Sequence, residues 1–586
     1  MSTLGQDLRF SLRVLRKTPV FSLTAVVVLA LGIGVNAAIF SLVNGMLLKP
    51  MAGSGKPGQL VGVYSQDRTR PDSYRAFSYP AYVDVRDKAK VFSEVAAFSL
   101  AFGGLGEGDT TRRTFLGVVS RNYFSTLGVN LLAGRTFNED EERPDSRADV
   151  AVVSYAYWKG HGSDRNLVGQ TVRLNSRPFR IIGIAPAGFT GTSVLVSPDA
   201  WVPIGASDLV TNDFMRESGP ASLAARRNNS LMLVGRLKPG IAEAAAGAPL
   251  KALSAQLEQA YPAENKNQLL TIHRLARASV STEPQDDDGL RAPFAILMAM
   301  AAIVLIIACP NLANMMLARG TARRKEIAMR LALGGSRSQV IRQLLTEGLV
   351  LALFGGVGGL LVGYWSVNLL VSSIMPFSPV PITLDVQPDV RVAAAMLAFC
   401  GIATLVFGLG PAWRLSRPDV VTDLKEQAGE QAGRGRWFSA RNLLVGAQVA
   451  LSLGLLTTAG LFIRGAMKAG EADPGYRLDR QVLASLDTSL AGYDETRGRE
   501  AYRRLVERLR ALPGVQSVSP ASVVWSGGFT DGRTVRKAGA APADGRTSRP
   551  TGTNATYYIV GSDYFRTLGL PVLQGLSSRS IEFDRA

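Results

Sequence analysis

Five stretches of this 586-residue chain are each apolar for about 20 residues or more, the length that crosses the hydrocarbon core of a bilayer. They are Phe21–Leu48, Ala292–Ala318, a glycine-rich run over 341–374, Val392–Trp413 and Leu443–Ile463. Lipid offers no hydrogen bonds to a backbone, so each run reads as a helix. The apolar core of the first run is too long for a cleaved signal peptide. It also lacks a clean small-residue cleavage site, which makes it an uncleaved span. Hydrophobic residues reach 47%, yet charged residues still reach 19%, and mean hydropathy is only +0.12. That balance fits a few membrane helices joined to large soluble parts. The expected fold class is membrane α-helical, with about five transmembrane helices, plus mixed α/β extracytoplasmic domains.

Lysine and arginine placement orients the spans. Arg9, Arg13, Arg16 and Lys17 precede the first. Arg319, Arg323, Arg324, Lys325, Arg330, Arg337 and Arg342 lie between the second and third. Arg414, Arg417, Lys425, Arg434, Arg436 and Arg441 lie between the fourth and fifth. The loop between the third and fourth carries Asp385 and Asp389 and no basic residue before Arg391, and Asp286, Asp287 and Asp288 precede the second span. The expected layout follows. Residues 1–20 form an amphipathic cytoplasmic N-terminus, and 416–440 a cytoplasmic linker. Residues 49–290 and 465–586 face outward. The chain is expected to be a multi-pass membrane protein with its N-terminus in the cytoplasm. The formal net charge of +18 is then partly an anchor on anionic membrane lipid. No nucleic-acid motif is present, so nucleic acid is not an expected partner.

The outward stretches alternate strand-like and helix-like segments. QTVRLNSRPFRIIGIAP reads as a hairpin turning at Asn175-Ser176. LMLVGRLKPG reads as a strand closed by a Pro239-Gly240 turn, Ala242–Tyr261 as a helix, and NQLLTIHRL as the next strand: a βαβ-like order. In the second stretch VLASLDTSL reads as a strand, ETRGREAYRRLVERLRAL as a charged amphipathic helix and VQSVSPASVVW as a strand.

No catalytic, cofactor-binding or metal-binding set stands out. The two histidines, His161 and His273, are isolated, and the two cysteines, Cys309 and Cys400, lie in apolar runs, so neither a His-based metal site nor a disulfide framework is expected. The acidic run Glu139–Asp145 reads as a solvated loop. Ala52–Gly58 resembles a phosphate-binding loop but has Pro50 where the first glycine belongs and Pro57 after Lys56. Leu331–Gln339 faintly resembles an ABC ATPase signature but sits in a short basic loop. No ATP hydrolysis by the chain alone is expected.

The loop between the second and third runs carries the most information. Residues 323–333 have helical periodicity, with Ile327, Arg330, Leu331 and Gly334 on one side. Gly334-Gly335 ends that helix, and a new one begins at Ser336, with Gln343 and Glu347 near its start. Gly355, Gly359 and Gly363 form a tandem G-x-x-x-G series, which lets another helix approach closely. Helix packing is the reading for these glycines rather than a hinge. The basic elbow has two readings: a topology anchor, or a short rigid element that a cytoplasmic partner pushes.

RRKEIAMRLALGGSRSQVIRQLLTEGLVLALFGG, the N-terminal LGIGVNAAIFSLVNGMLLKP, SYPAYVDVRDKAKVFSEVAAF and YFSTLGVNLLAGRTF together resemble the FtsX-like permeases, specifically MacB-type ABC permease subunits, over nearly all of the chain. Pro310 departs from the family pattern, where a small residue is usual, and puts local helix regularity in question. The resemblance implies a MacB-like periplasmic core domain at 49–290. It implies an FtsX-like permease domain at 291–415, with spans at 292–318, 341–374 and 392–413 and a coupling loop at 319–340. A further span at 441–463 leads into a second, incomplete core domain at 465–586. It also implies mechanical work. A separate cytoplasmic ABC ATPase subunit hydrolyses ATP, and the elbow passes motion to the outward domain, which drives efflux or a membrane-fusion or other periplasmic partner. The implied coupling residues are Arg323, Arg324, Glu326, Arg330, Gly334 and Arg337. A dimer is compatible with this scheme. The alternative is a membrane scaffold that regulates an outward partner, such as a cell-wall enzyme, without moving cargo.

One motif occurs twice. YFSTLGVNLLAG at Tyr123–Gly134 and YFRTLGLPVLQG at Tyr564–Gly575 match at every Tyr, Phe, Thr, Leu and Gly of the Tyr-Phe-x-Thr-Leu-Gly core. The chain therefore resembles the duplicated permeases, in which two MacB-type halves share one chain. The second half is expected to be truncated.

Overall fold

The computed structural model describes residues 2–48, 57–107, 110–144, 146–194, 196–210, 222–275, 281–285, 288–323, 327, 329, 333, 336–374, 389–415, 440–471, 476, 480–522, 531–535 and 553–573. They fall into two compact units.

The first unit holds the long apolar helices. An amphipathic helix, Ser2–Lys17, stops at Thr18, whose non-helical backbone (φ −130°, ψ 69°) breaks the path before the first span helix, Pro19–Val43. That helix runs on through a π-helical turn, Asn44–Leu48. The other span helices are Asp288–Ala322, Arg337–Ile374, Val390–Leu415 and Ala440–Gly470. All five are long and apolar enough to cross a membrane. Pro310 does not interrupt its helix. A membrane span can absorb a proline where neighbouring groups satisfy the carbonyl it frees.

Small residues set how closely these helices meet. A Cβ on Gly359 would lie 2.8 Å from the Gly34 nitrogen and 2.9 Å from the Ala30 oxygen. One on Gly355 would lie 2.5 Å from the Leu29 Cβ, and one on Gly363 3.2 Å from the Gly34 oxygen. The first and third spans therefore touch backbone to backbone. Asn36 is buried, and its Nδ2 donates to Gly32 O in its own helix and to Ala301 O in the second span, both at 2.8 Å. At the end of the bundle away from the basic loops, Asn44 Nδ2 donates to Asp389 Oδ2 at 2.9 Å. Asp389 Oδ1 accepts from the Arg391 and Val392 backbone nitrogens and so caps the fourth span. Arg391 donates to Leu48 O. The fifth span helix is the exception: its most apolar window has no buried residues, against 22–44% in the other four. Gln448 Nε2 to Asn311 Oδ1, at 2.7 Å, ties it to the second span.

The second unit is α/β. Its strands are β1 (Leu60–Asp67), β2 (Arg70–Arg75), β3 (Phe92–Glu107), β4 (Thr110–Val119), β5 (Ala133–Gly134), β6 (Val150–Val153), β7 (Thr171–Leu174), β8 (Arg177–Ile184), β9 (Ala200–Pro203), β10 (Met232–Leu237) and β11 (Gln268–Arg274). They form one sheet in the order β11-β1-β10-β3-β4-β9-β6-β8-β5, with β2 on β1 and β7 joining β3 to β8. Side chains alternate between two apolar layers. Val95, Ala97, Val118, Ala151 and Val153 enter one, and Ala96, Phe98, Val119, Val150 and Val152 the other. Where both faces are covered, as in β6 and β9, the strands read as apolar runs rather than as alternation. The β7–β8 hairpin turns at Asn175-Ser176, both left-handed (φ 50° and 62°), the backbone that a two-residue hairpin loop needs. β10, the helix Glu243–Ala260 and β11 form a βαβ unit split by β1, which pairs antiparallel with both strands.

Two expected strands are absent among the described residues. Residues 482–487 form no regular element and have no strand partner among the described residues, and Thr488–Ala491 forms a 3-10 turn. Residues 515–522 contribute one isolated bridge, Ala521 to Val560. A strand exists only with a neighbour to bond. β1 has β10 and β11 beside it; 482–487 has no such pair among the described residues. The helix Glu495–Arg510 does form, capped by Asp494 on the Arg497 nitrogen at 2.8 Å. β12 (Asp531–Val535) and β13 (Thr553–Tyr557) pair antiparallel.

Both copies of the repeated motif are short helices, Tyr123–Thr126 and Tyr564–Leu568. Gly128 (φ 72°) ends the first and Gly569 (φ 69°) the second. Val129 N bonds Phe124 O at 2.8 Å and Gly128 N bonds Ser125 O at 2.8 Å; Leu570 N bonds Phe565 O at 2.8 Å and Gly569 N bonds Arg566 O at 3.1 Å. This paired closure is a Schellman motif, and only glycine takes its left-handed position without strain.

Candidate functional site

The sequence elements that carry chemistry meet at the basic end of the helix bundle. Arg319 is the last basic residue of the second span helix. Its Nη2 donates to Val14 O of the N-terminal helix at 3.1 Å, and its guanidinium lies over the Phe21 ring at 4.6 Å. Ser22 Oγ donates to Leu15 O at 2.9 Å. These bonds hold the N-terminal helix against the spans. One turn further, Arg323 Nη1 sits 3.5 Å from Glu347 Oε1. Glu347 is only 2% exposed, inside the third span helix. A carboxylate there is costly unless it is paired, and Arg323 is the partner. Phe10, Met316, Ile327 and Leu344 line a small cleft around this pair.

The elbow follows. Ile327 N bonds Arg323 O at 3.1 Å and Leu333 N bonds Met329 O at 3.0 Å, both i to i−4 helical bonds. The third span helix then opens on a reciprocal cap. Gln339 N donates to Ser336 Oγ at 3.3 Å, and Ser336 N donates to Gln339 Oε1 at 3.2 Å. Ile327 faces the cleft, whereas Met329 is 60% and Leu333 89% exposed. Four residues apart on a helical turn, these two apolar side chains form one exposed knuckle.

Of the six coupling residues read from the sequence, the structure places Arg323 on Glu347 and Arg337, exposed, at the start of the third span helix. Arg324, Glu326, Arg330 and Gly334 lie outside the described residues. Gly355, Gly359 and Gly363 lie against the first span, away from this site. Sequence reading passed over Met329 and Leu333. Their signal was two apolar residues at i and i+4 inside an otherwise basic loop. It placed Glu347 near a helix start but not its burial or its partner. Among the described residues no group of histidine, cysteine, aspartate and glutamate side chains could hold a metal ion.

The geometry defines a multi-pass membrane protein with a large α/β domain inserted after the first span. The MacB-like periplasmic core domain model matches residues 22–253, and the FtsX-like permease C-terminal model matches residues 298–420. The chain thus carries a MacB-like periplasmic core domain and an FtsX-like permease domain, and it is similar to ABC transporter permeases. It is 27% identical over 249 residues to the macrolide export ATP-binding/permease protein MacB of Aggregatibacter actinomycetemcomitans, covering 42% of this chain and 34% of that one. It is 25% identical over 421 residues to the pyoverdine export ATP-binding/permease protein PvdT of Pseudomonas fluorescens, covering 69% of this chain and 57% of that one. It is 24% identical over 309 residues to the uncharacterized ABC transporter permease YknZ of Bacillus subtilis, covering 52% of this chain and 68% of that one. The chain spans between 34% and 57% of the length of the first relatives it matches. The solved periplasmic region of MacB from Actinobacillus actinomycetemcomitans aligns with 42% of this chain and 97% of its own at 17% identity and a TM-score of 0.28.

Proposed function

We propose that this chain is the membrane subunit of an ABC-type export system in which a separate cytoplasmic ATPase pushes on the elbow between the second and third spans. The observation that carries this reading is the two-sided elbow. Met329 and Leu333 offer an exposed apolar knuckle to a partner, while Arg323 fixes the base of the same segment to buried Glu347 of the third span. In this reading a push on the knuckle reaches the third span through the Arg323–Glu347 pair. The third span packs backbone to backbone on the first, and the first leads into the α/β domain. In this reading the basic end faces the cytoplasm, in keeping with the lysine and arginine bias, and the α/β domain faces outward. Export as the outcome is supported by relatives named for macrolide and pyoverdine export.

The test is reconstitution of the full chain with each candidate cytoplasmic ABC ATPase of the cell it comes from. The expected result is that the chain alone hydrolyses no ATP and that the ATPase binds it. Met329→Asp with Leu333→Asp weakens that binding at least tenfold, because charges replace the buried centre of the contact. Reversing the charges of Arg323, Arg324 and Arg330 also weakens it. Unchanged binding in both variants removes the coupling role.

A further inference from the structure

Both α/β stretches, on either side of the spans in sequence, fall in the same compact unit, and they meet at one corner. On the first domain this corner is made by β3, β4 and the β7–β8 turn. Gly104 N donates to Asn175 Oδ1 at 2.7 Å, and Asn175 N donates to Gly104 O at 2.8 Å. Asn175 Nδ2 donates to Val210 O at 3.2 Å, so this buried residue holds the corner rigid. On the second region the opposing element is the turn Asp487–Gly492. Asp487 Oδ1 accepts from the Ser489 nitrogen at 3.0 Å, and Tyr502 of the helix Glu495–Arg510 donates its hydroxyl to Leu486 O at 2.8 Å. The turn is therefore preformed as well.

Three contacts join the two surfaces. A Cβ on Gly104 would lie 2.7 Å from Leu490 O, so the turn's backbone lies where any larger residue would place its side chain. A Cβ on Gly492 would lie 2.9 Å from Asn175 O, and Gly492 is left-handed (φ 75°). Arg113 Nη2 meets Asp487 Oδ2 at 3.2 Å while its guanidinium lies over the Phe102 ring at 5.3 Å. A missing side chain on each surface permits the approach, and a charge pair fixes the register.

We propose that the corner of Gly104, Arg113 and Asn175 is a docking site for the turn Asp487–Gly492 of the same chain, which fastens the second α/β region to the first domain so that the two move as one body. The partly exposed ion pair contributes little by itself. The close backbone approach at the two glycines dominates, because a Cβ at either one overlaps backbone atoms.

The test is disulfide trapping in the reconstituted full chain. Thr111 and Leu490 both approach the space beside Gly104, so Thr111→Cys with Leu490→Cys reports docking. Ala521→Cys with Val560→Cys, across the antiparallel bridge inside the second region, reports that region's fold. The native cysteines, Cys309 and Cys400, are buried and do not compete. In the otherwise native chain both pairs cross-link. Gly492→Val lowers the Thr111–Leu490 link at least fivefold and leaves the Ala521–Val560 link intact. Arg113→Glu lowers it less. A Thr111–Leu490 link that never forms while the control link does, or that survives Gly492→Val unchanged, overturns the docking site. Neither readout depends on transport or on an ATPase.

Discussion

The two copies of Tyr-Phe-x-Thr-Leu-Gly have the same local structure and opposite surroundings. Their Schellman closures use matching bonds. Their Tyr–Phe ring pairs have the same 5.6 Å spacing, at 83° and 81°. The backbone bond just before each copy also repeats: Ser120 N bonds Ala97 O at 2.9 Å and Gly561 N bonds Pro520 O at 2.8 Å. Even the carbonyl of the motif threonine is met in both, by Arg236 Nε at 2.9 Å in the first copy and by Gln481 Nε2 at 2.7 Å in the second. Burial is what differs. Phe124 has no exposure and packs on Phe189 at 5.6 Å and Trp201 at 5.8 Å, whereas Phe565 is 40% exposed. Six residues are enough to specify the turn. The core around it comes from segments elsewhere in the chain.

The largest effect expected from breaking this comparison is at the phenylalanines. Phe124→Ala should destabilise the first domain by about 3–5 kcal/mol through cavity formation, and Phe565→Ala the second region by about 1 kcal/mol or less. Pulse proteolysis of the full chain in micelles, reading fragments from each region, measures both. Equal losses would mean that the second copy has a buried core of its own. At the glycines the comparison should instead collapse. Gly128→Ala and Gly569→Ala each force a side chain into a left-handed position at a cost of about 1–2 kcal/mol, and the two losses should agree because the backbone angles do. The smallest effect concerns acid. The Glu500 carboxyl on the helix Glu495–Arg510 is held down at about 2, below its ordinary 4.5, by hydrogen bonds from Arg503 and then Arg504. A lowered value in the folded state means that its stabilising contribution is complete above 4.5 and is lost as pH falls toward 2. Native chain and Glu500→Gln should therefore differ slightly in helical circular dichroism at pH 6 and converge near pH 2.

Apolar length made the five membrane helices legible, and the turn residues Asn175-Ser176 and Pro239-Gly240 made the hairpin and strand ends of the first domain legible. VLASLDTSL and VQSVSPASVVW misled because apolar β-formers describe what a strand contains, not whether another strand lies beside it. The candidate site was half legible. A basic loop broken by Gly334-Gly335 marked the elbow, but nothing in the spacing showed that Glu347 would be buried on Arg323 or that Met329 and Leu333 would point outward.

What the sequence determined by itself is what short-range physics controls: apolar runs long enough for a bilayer, a glycine that closes a helix, and a cap at Ser336. Tertiary structure decided the pairings. Asn36 reaches a carbonyl across 265 residues of chain, Arg113 reaches Asp487 across 374, and Phe124 is buried where Phe565 is not. Those outcomes depend on which distant surfaces come within a few ångströms of one another, and local propensity carries no information about that.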